Sequence, residues 1–378
     1  MRKLYNYLAY ILLASTLCSC AQDLTEDIQV NISNGEVIYA KLKEGDRAQL
    51  STNMKMSWLE RDTIYVIGPG RFCAYAFDGK TGARGGTFTA IPDLNLYEKN
   101  ITYKTVIDNI GWSKYYDNKY YAITPYGGFS SIGDQLILYI PKAGMAKQYY
   151  NPNGCDPKSF VLFGVSDDGV NFEFENLLGF IHIKLTGSKT VKDIVLTENT
   201  KSADIAGRFG FYLDEPTVSV WGTKSNSVTL DCGEGVQLSD IPTDFIFSVR
   251  PVEFEKGFTL VVNFTDGSKF IQGTSKSIIM KRNTVQPMAT INVDDIEFQT
   301  ISVSYSTSSV VVPELSGATD IWGYVDWSDG NISILGLVTR RDYVDLLESH
   351  NITINVRNAQ KVKFNNIYGI SAVDLSNF

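Results

Sequence analysis

The sequence predicts an all-β protein, and three of its features support that class. Apolar and polar residues alternate in many short runs, such as those around Tyr65, Ala74 and Val261, and alternation with period two is typical of half-buried strands. Clusters of Gly, Asn, Asp and Pro separate these runs, as expected of turns. Helical periodicity is weak along nearly the whole chain. We therefore expect β-sandwich domains rather than an α/β enzyme core.

The predicted strands are spread over most of the chain. Asp266-Gly267 predicts a hairpin turn, and Asp78-Gly79 predicts a turn that suits a positive φ. The one short helix that we expect covers residues 340–349. The strands themselves are 63–70, 72–77, 134–141, 159–165, 194–197, 218–221, 227–230, 243–249, 258–264 and 269–271.

Charge and composition restrict the function classes. The net charge is −8 and the pI is near 5.0, whereas nucleic-acid binding needs concentrated basic charge, so no nucleic-acid partner is expected. His182, expected on the solvent face of a strand, and His350, expected near a loop that enters a strand, are the only two histidines. The chain is therefore poorly equipped for acid–base catalysis. No carboxylate lies in a catalytic motif, so we predict no enzyme activity, no cofactor and no metal.

Three cysteines follow residue 20. Cys73, Cys155 and Cys232 are odd in number and widely spaced, which excludes a disulfide framework and a C-x-x-C zinc site. We expect buried or isolated thiols.

The first residues predict export. Arg2 and Lys3 precede an apolar stretch over 8–17, which is shorter than the about 20 residues that a membrane-spanning helix needs. These are the marks of a cleaved signal peptide. Residues 17–20, Leu-Cys-Ser-Cys, resemble the lipobox of bacterial lipoproteins. That resemblance implies a signal peptide over 1–19 and a lipid on Cys20; the alternative is an ordinary secretory signal.

Acidic residues follow the lipid-bearing cysteine. Asp23, Glu26 and Asp27 resemble the surface-export signal of Bacteroides-type lipoproteins. Residues 20–29 are thus an acidic tether. The resemblance implies a surface-exposed protein held in the outer membrane by its lipid.

A series of aromatic motifs resembles the fimbrillin family of Bacteroides-type pilins. An arginine at 47 precedes Trp58, and the chain then reads Arg61-Asp62-Thr63-Ile64-Tyr65-Val66, where the family commonly has glycine in place of Arg61. The remaining motifs are Tyr75-Ala76-Phe77, Gly86-Thr87-Phe88, residues 120–126 and residues 172–185. Such aromatic residues also serve as core residues in any β-sandwich, so we interpret them as fold markers.

The resemblance implies two transthyretin-like β-sandwich domains, 30–168 and 169–296. A small C-terminal β-rich domain over 297–378 is also expected, because residues 324–330 resemble the turn of PKD-like modules of the immunoglobulin type. Asp326 and Asp329 of that turn are candidate calcium ligands, although their spacing does not match an EF-hand loop and favours a hydrogen-bonded turn.

The family also implies assembly. In polymerising fimbrillins a protease cuts after an arginine and an N-terminal strand is lost. A strand from a neighbouring subunit then fills the groove that the lost strand leaves in the sheet. Arg47 is the candidate cut site, the alternative being an exposed strand residue. The implied partners are other pilus subunits, with a host or bacterial surface ligand as a further candidate, and the added C-terminal domain favours a tip or anchor subunit.

The other function that the residues allow is glycan binding by a lipid-anchored surface protein. Trp112, Tyr115 and Tyr116 lie in the richest aromatic run of the chain and could stack on sugars. Such runs are more often half-buried strands.

Overall fold

A computed structural model describes residues 36–43, 57–140, 146–159, 161–214, 217–294, 298–344 and 349–378. In these ranges nearly all regular structure is β-strand, so the predicted all-β class is confirmed. Each of the predicted strands is present, with ends that differ by a few residues. Asp266-Gly267 forms the predicted hairpin, with φ of 84° at Gly267. At the turn predicted at Asp78-Gly79 the positive φ lies at Gly82 (99°) and not at Gly79. The turn is therefore longer than two residues, and the Gly82 amide donates a hydrogen bond to the Trp58 carbonyl.

The N-terminal part combines strands with three short helices. Its elements are β1 (Val37–Leu42), β2 (Thr63–Gly68), β3 (Arg71–Phe77), β4 (Gly85–Asn95), α1 (Leu96–Lys99), α2 (Ile101–Asp108), α3 (Trp112–Tyr115), β5 (Tyr120–Thr124), β6 (Phe129–Ile132), β7 (Gln135–Tyr139), β8 (Lys147–Tyr149), a 3₁₀ turn (Pro157–Ser159), β9 (Leu162–Ser166) and β10 (Asn171–Asn176). The helices were not predicted because they are one or two turns long. The first two are started by side-chain caps from Asn95 and Asn100.

Seven of these strands form a closed barrel in the order β1-β10-β9-β5-β2-β3-β4. Inward side chains fill its interior, and aromatic rings dominate the packing. Trp58 is 1% exposed and meets Phe88 and Phe174 edge-on, with ring centroids 5.0 and 5.3 Å away. The expectation that the motif aromatics serve as core residues is confirmed for the fully buried ones: Trp58, Tyr75, Phe77, Phe88, Phe172 and Phe174.

The middle part is also made of strands. They are β11 (Gly179–Thr186), β12 (Thr190–Glu198), β13 (Ala206–Tyr212), β14 (Ser219–Ser225), β15 (Ser227–Gln237), β16 (Thr243–Val249), β17 (Glu253–Phe254), β18 (Phe258–Phe264), β19 (Lys269–Thr274), β20 (Ile278–Ile279), β21 (Val285–Pro287) and β22 (Ile291–Asn292). The sheet β19-β18-β12-β15-β8 packs on the sheet β16-β11-β21 around the largest apolar core of the described chain.

His182 corrects one expectation. It was predicted on a solvent face, but it is 2% exposed and its Nε2 lies 2.6 Å from Asp244 Oδ1. The reason is that β11 is covered on both faces: Ile181 and Ile183 point into the main core, and Phe180 packs in a second cluster.

Besides the barrel, which includes β10, two further sheets combine strands from before and after residue 168. Strand β7 pairs with β13, and β8 adds a parallel edge strand to β15. The buried Gln148 side chain of β8 donates to the Ser248 carbonyl at 2.7 Å and accepts from the Ser248 amide at 3.0 Å. The residues before 168 and those after it are therefore joined by backbone pairing as well as by side-chain contact. The predicted domain limits remain a prediction.

The C-terminal part has its own sheet and core. Its strands are β23 (Gln299–Tyr305), β24 (Ser309–Val311), β25 (Glu314–Asp326), β26 (Ile332–Ile334), β27 (Arg340–Asp342), β28 (His350–Lys363) and β29 (Ile370–Asn377). They form the sheet β26-β25-β28-β23-β29 and the pair β24-β27. The helix predicted over 340–349 is wrong in its first residues, because β27 pairs with β24 there. His350 begins β28, as expected. The resemblance to PKD-like modules remains a prediction.

Trp58→Ala should lower the free energy of unfolding by about 3–5 kcal/mol, the usual cost of removing a large buried side chain. Urea titration followed by far-UV circular dichroism measures the change. The matched control is Leu59→Ala, next in the chain and 43% exposed, which should change stability by less than about 1 kcal/mol. Equal losses in the two variants would contradict the packing role of Trp58.

Candidate functional site: the groove that holds the first strand

Strand β1 lies between β4 and β10 and forms backbone hydrogen bonds to both sides. On the β10 side it runs parallel and the Tyr39 amide donates to the Val170 carbonyl at 2.8 Å. On the β4 side it runs antiparallel and the Leu42 amide donates to the Arg84 carbonyl at 2.8 Å. Within the described residues β4 and β10 do not pair with each other. Their facing edges form the groove, and β1 occupies it.

Alternate side chains of β1 enter the barrel core. Ile38 and Ala40 are fully buried and Leu42 is 5% exposed. All three belong to the cluster that contains the barrel aromatics. A strand in this groove thus contributes core side chains as well as backbone hydrogen bonds.

Two lysines face outward at the end of β1, Lys41 within the strand and Lys43 directly after it. Lys41 Nζ lies 3.7 Å from Glu173 Oε1, and Lys43 Nζ lies 3.9 Å from Glu175 Oε2. Glu175 also meets Arg282 at 3.0 Å. These pairs are about half exposed on the lysine side, so each contributes only about 0–1 kcal/mol. The pairs are consistent with the alignment of β1 along β10, but they stabilise that alignment only slightly.

The turn before β10 is held by one carboxylate. Asp168 accepts hydrogen bonds from the Ser166 hydroxyl (2.7 Å) and from the amides of Val170 (2.8 Å) and Asn171 (2.9 Å). Burial acts to raise the pKa of Asp168, but these hydrogen bonds, led by that from the Asn171 amide, outweigh it. They hold the pKa of the carboxyl well below its usual range. The turn positions the Val170 carbonyl that receives the Tyr39 amide.

Cys20 and Arg47 lie outside the described residues. Arg47 falls in residues 44–56, which connect β1 to the residues that precede β2. Lipidation of Cys20 and cleavage after Arg47 therefore remain predictions.

Trp112 and Tyr116 correct the expectation of an exposed aromatic platform. Trp112 is 7% exposed and its Nε1 donates to the Ile107 carbonyl at 2.9 Å. Tyr116 is 2% exposed and its hydroxyl accepts from the Leu136 amide at 2.8 Å. Burial raises the pKa of Tyr116 to about 12. The run is helical there, which turns both side chains into the core; of the three candidates Tyr115 alone is partly exposed, and glycan contact remains a prediction.

The turn at 326–331 is closed by its own hydrogen bonds. Asp326 Oδ1 accepts from the Ser328 amide at 2.9 Å, and Asp329 Oδ1 accepts from the Asn331 amide at 3.0 Å. Asp329 Oδ2 is 2.6 Å from Arg341 Nη2. Both carboxylates thus form turn hydrogen bonds, as the favoured interpretation of their spacing predicts, and calcium binding at this turn stays untested.

Other candidate sites are sparse in the described ranges. Cys73, Cys155 and Cys232 are free thiols, as expected, and burial raises the pKa of the latter two to about 12. No group of three or more His, Cys, Asp or Glu side chains suited to a metal occurs there. None of the described helices is both long and apolar enough to cross a membrane.

The sequence reasoning did not identify β1. The signal was present, because Ile38, Ala40 and Leu42 alternate with Tyr39 and Lys41 just before Arg47. The run is short, however, and its pairing partners lie far along the chain.

Asp168→Asn should lower the free energy of unfolding at pH 7 by about 1.5–3 kcal/mol, the scale of a hydrogen bond to a charged group. The folded-state pKa is depressed, so the contribution of the native carboxylate is complete above about pH 5 and is lost as the pH falls below about 4. The variant should therefore lose less stability than the wild type between pH 5 and pH 3. Urea titrations at several pH values test this.

Asp167→Asn is the matched control, because the Asp167 side chain is 87% exposed. It should keep the acid dependence of the wild type. A parallel loss of stability with pH in the wild type and in Asp168→Asn would contradict the role given to Asp168.

Neither a family model nor a curated protein matches the chain. Among solved structures it is similar to a candidate cell adhesion protein from Bacteroides ovatus, with 13% identity over 68% of this chain and 91% of that one and a TM-score of 0.41. A candidate cell adhesion protein from Bacteroides uniformis has 12% identity, covers 69% and 96%, and scores 0.38. A fimbrial protein from Bacteroides ovatus has 10% identity, covers 73% and 53%, and scores 0.26. The likeness is distant at these scores, and no argument about function follows from it.

Proposed function

We propose that the chain is a non-enzymatic cell-surface lipoprotein that acts as a fimbrillin-like pilus component in adhesion. The observation that supports this most is the position of β1. The strand fills a groove between β4 and β10, and residues 44–56, which contain Arg47, link it to the rest of the barrel. A cut after Arg47 would leave β1 held by non-covalent contacts alone.

Release of β1 would create a site for another chain. The edges of β4 and β10 would lose their backbone partners, and the places of Ile38, Ala40 and Leu42 would open to water. Unpaired sheet edges bind added strands, and alternate side chains of the added strand fill the pockets. A strand from another pilus subunit is the partner that such a groove fits.

The lipid on Cys20 brings the chain to the outer membrane in this proposal. A cut after Arg47 removes the lipid together with β1, whereas the uncut chain remains anchored. Cys20 thus serves transport in the first case and permanent attachment in the second.

A tip or anchor position is favoured over a stalk position. Strand β29 pairs with β23 inside the C-terminal sheet. A strand that is engaged in its own sheet is a poor donor for the next subunit.

In the Arg47→Gln variant residues 20–47 should remain attached to the rest of the chain, because the proposed protease needs an arginine at its cleavage site. N-terminal sequencing of surface material should find Ala48 first in the wild type and Cys20 first in the variant, with surface polymers lost. Lys43→Gln is the matched control and should be processed like the wild type. In the same strain Cys20→Ala should move the protein out of the membrane fraction.

Two results would contradict the proposal. Wild-type surface material that begins only at Cys20 would reject processing at Arg47. Membrane association of Cys20→Ala equal to that of the wild type would reject the lipid anchor.

A further inference from the structure

We propose that the groove of β1 selects its incoming strand by a pattern that strand β29 does not have. Over positions 38 to 43 the pattern is aliphatic, any residue, Ala or Gly, basic, aliphatic, basic, and the two basic residues face Glu173 and Glu175. It follows that β29 of a second copy of this chain is not the incoming strand, which a different subunit supplies. This inference rests on the proposed exchange of β1 and specifies the partner.

The middle inward position accepts only a small side chain. Ala40 is fully buried, and its register partners are Gly86 on β4 and Phe172 on β10. A Cβ at Gly86 would lie 2.9 Å from the Phe77 ring, so the wall beside Ala40 has no spare room. The rings of Trp58, Phe77, Phe88, Phe172 and Phe174 fill the rest of this interior. A larger residue at this position would overpack the core.

The flanking inward positions require aliphatic side chains. Ile38 is paired with Phe88 on β4, and Leu42 is paired with Phe174 on β10; both are buried. A smaller residue would leave a cavity between these rings. A charged residue would be buried without a partner, which is far more costly.

The outward positions favour positive charge. Once β1 leaves, Glu173 loses its 3.7 Å contact with Lys41, and Glu175 keeps only Arg282 of its two cations. A donor with lysine or arginine at these positions restores both pairs. A donor with acidic residues there would place like charges across neighbouring strands, which is destabilising.

The chain's own last strand fails this pattern. The best alignment places Ile370 where Ile38 lies and Ala372 where Ala40 lies, but Asp374 then takes the buried place of Leu42. In that alignment Val373 and Leu375 replace the two outward lysines. Shifting the alignment by one residue puts Val373 or Ser371 in the small middle position, and with Ser371 there Gly369 takes the aliphatic place of Ile38. Shifting it by two residues puts Ile370 or Asp374 in the middle position.

Peptide competition on the cut chain tests the selection. A site-specific protease sequence within residues 44–56 allows β1 to be cut free in the otherwise complete mature chain. Fluorescein-labelled peptide 36–43 is then exchanged into the groove, and unlabelled peptides displace it. Because only the peptides are varied, the fold of the protein is the same in every measurement.

The competing peptides are matched in pairs. Against unlabelled 36–43, Ala40→Leu should bind at least tenfold more weakly, and the double change Lys41→Glu with Lys43→Glu should bind roughly fivefold more weakly. Peptide 368–375 of the native sequence should bind at least 100-fold more weakly. Its Asp374→Leu variant should recover at least tenfold, and the further changes Val373→Lys and Leu375→Lys should recover more.

The possible outcomes distinguish a failure of the proposed strand selection from a failure of the proposed exchange of β1. Native 368–375 binding within tenfold of 36–43, or Ala40→Leu binding as tightly as the parent, would overturn the selection while leaving an exchangeable groove. Failure of the cut chain to take up any labelled 36–43 would overturn the exchange itself, and the selection with it.

Discussion

The barrel of this protein depends on one set of hydrogen bonds, those that β1 makes to β4 and β10. Every other pair of neighbouring strands in the barrel consists of two strands that follow residue 57 in the chain. Among the described strands only β1, Val37–Leu42, bridges the gap between β4 and β10, and residues 44–56 separate it in sequence from the rest of the barrel. Because buried backbone groups need partners, the aromatic core behind this gap requires some strand in that place.

The same contacts explain how β1 can be both necessary and replaceable. Its inward side chains fill the core, but the outward pairs to Glu173 and Glu175 are long and partly exposed, and so contribute little. The turn at Asp168, the aromatic rings of the barrel core and the two sheets that contain β7 and β8 are supplied by parts of the chain other than β1. The acceptor is thus built by the rest of the chain, and the identity of the strand is set by side-chain size and charge at a few positions.

The sequence was sufficient for features that depend on local pattern. The strands at Thr243–Val249 and Phe258–Phe264 and the hairpin at Asp266-Gly267 follow from alternation and turn chemistry. Non-local pairing was not predictable: β8 joins β15 some eighty residues away along the chain, and no local pattern specifies that. His182 was misplaced because alternation suggests one solvent face, whereas β11 is covered on both.

The candidate site was predicted only in part. Arg47 and Cys20 were found from motifs, but the groove requires knowing that β1 pairs with β10, which is distant in the chain. The exposure of the aromatic run at Trp112 could not be judged from its composition, which does not reveal that Trp112 and Tyr116 are buried at a helical turn. Composition describes which groups are present, and packing decides which of them reach water.

Hydrogen–deuterium exchange of the chain cut between Lys43 and Ser57 is the most direct test of the central claim. Amides of β4 and β10 should lose protection when the β1 fragment is removed and regain it when peptide 36–43 is added. Amides of β12, β15 and β18 should be unchanged throughout. Full protection of β4 and β10 after removal of β1 would contradict the account, because the barrel would then close without its first strand.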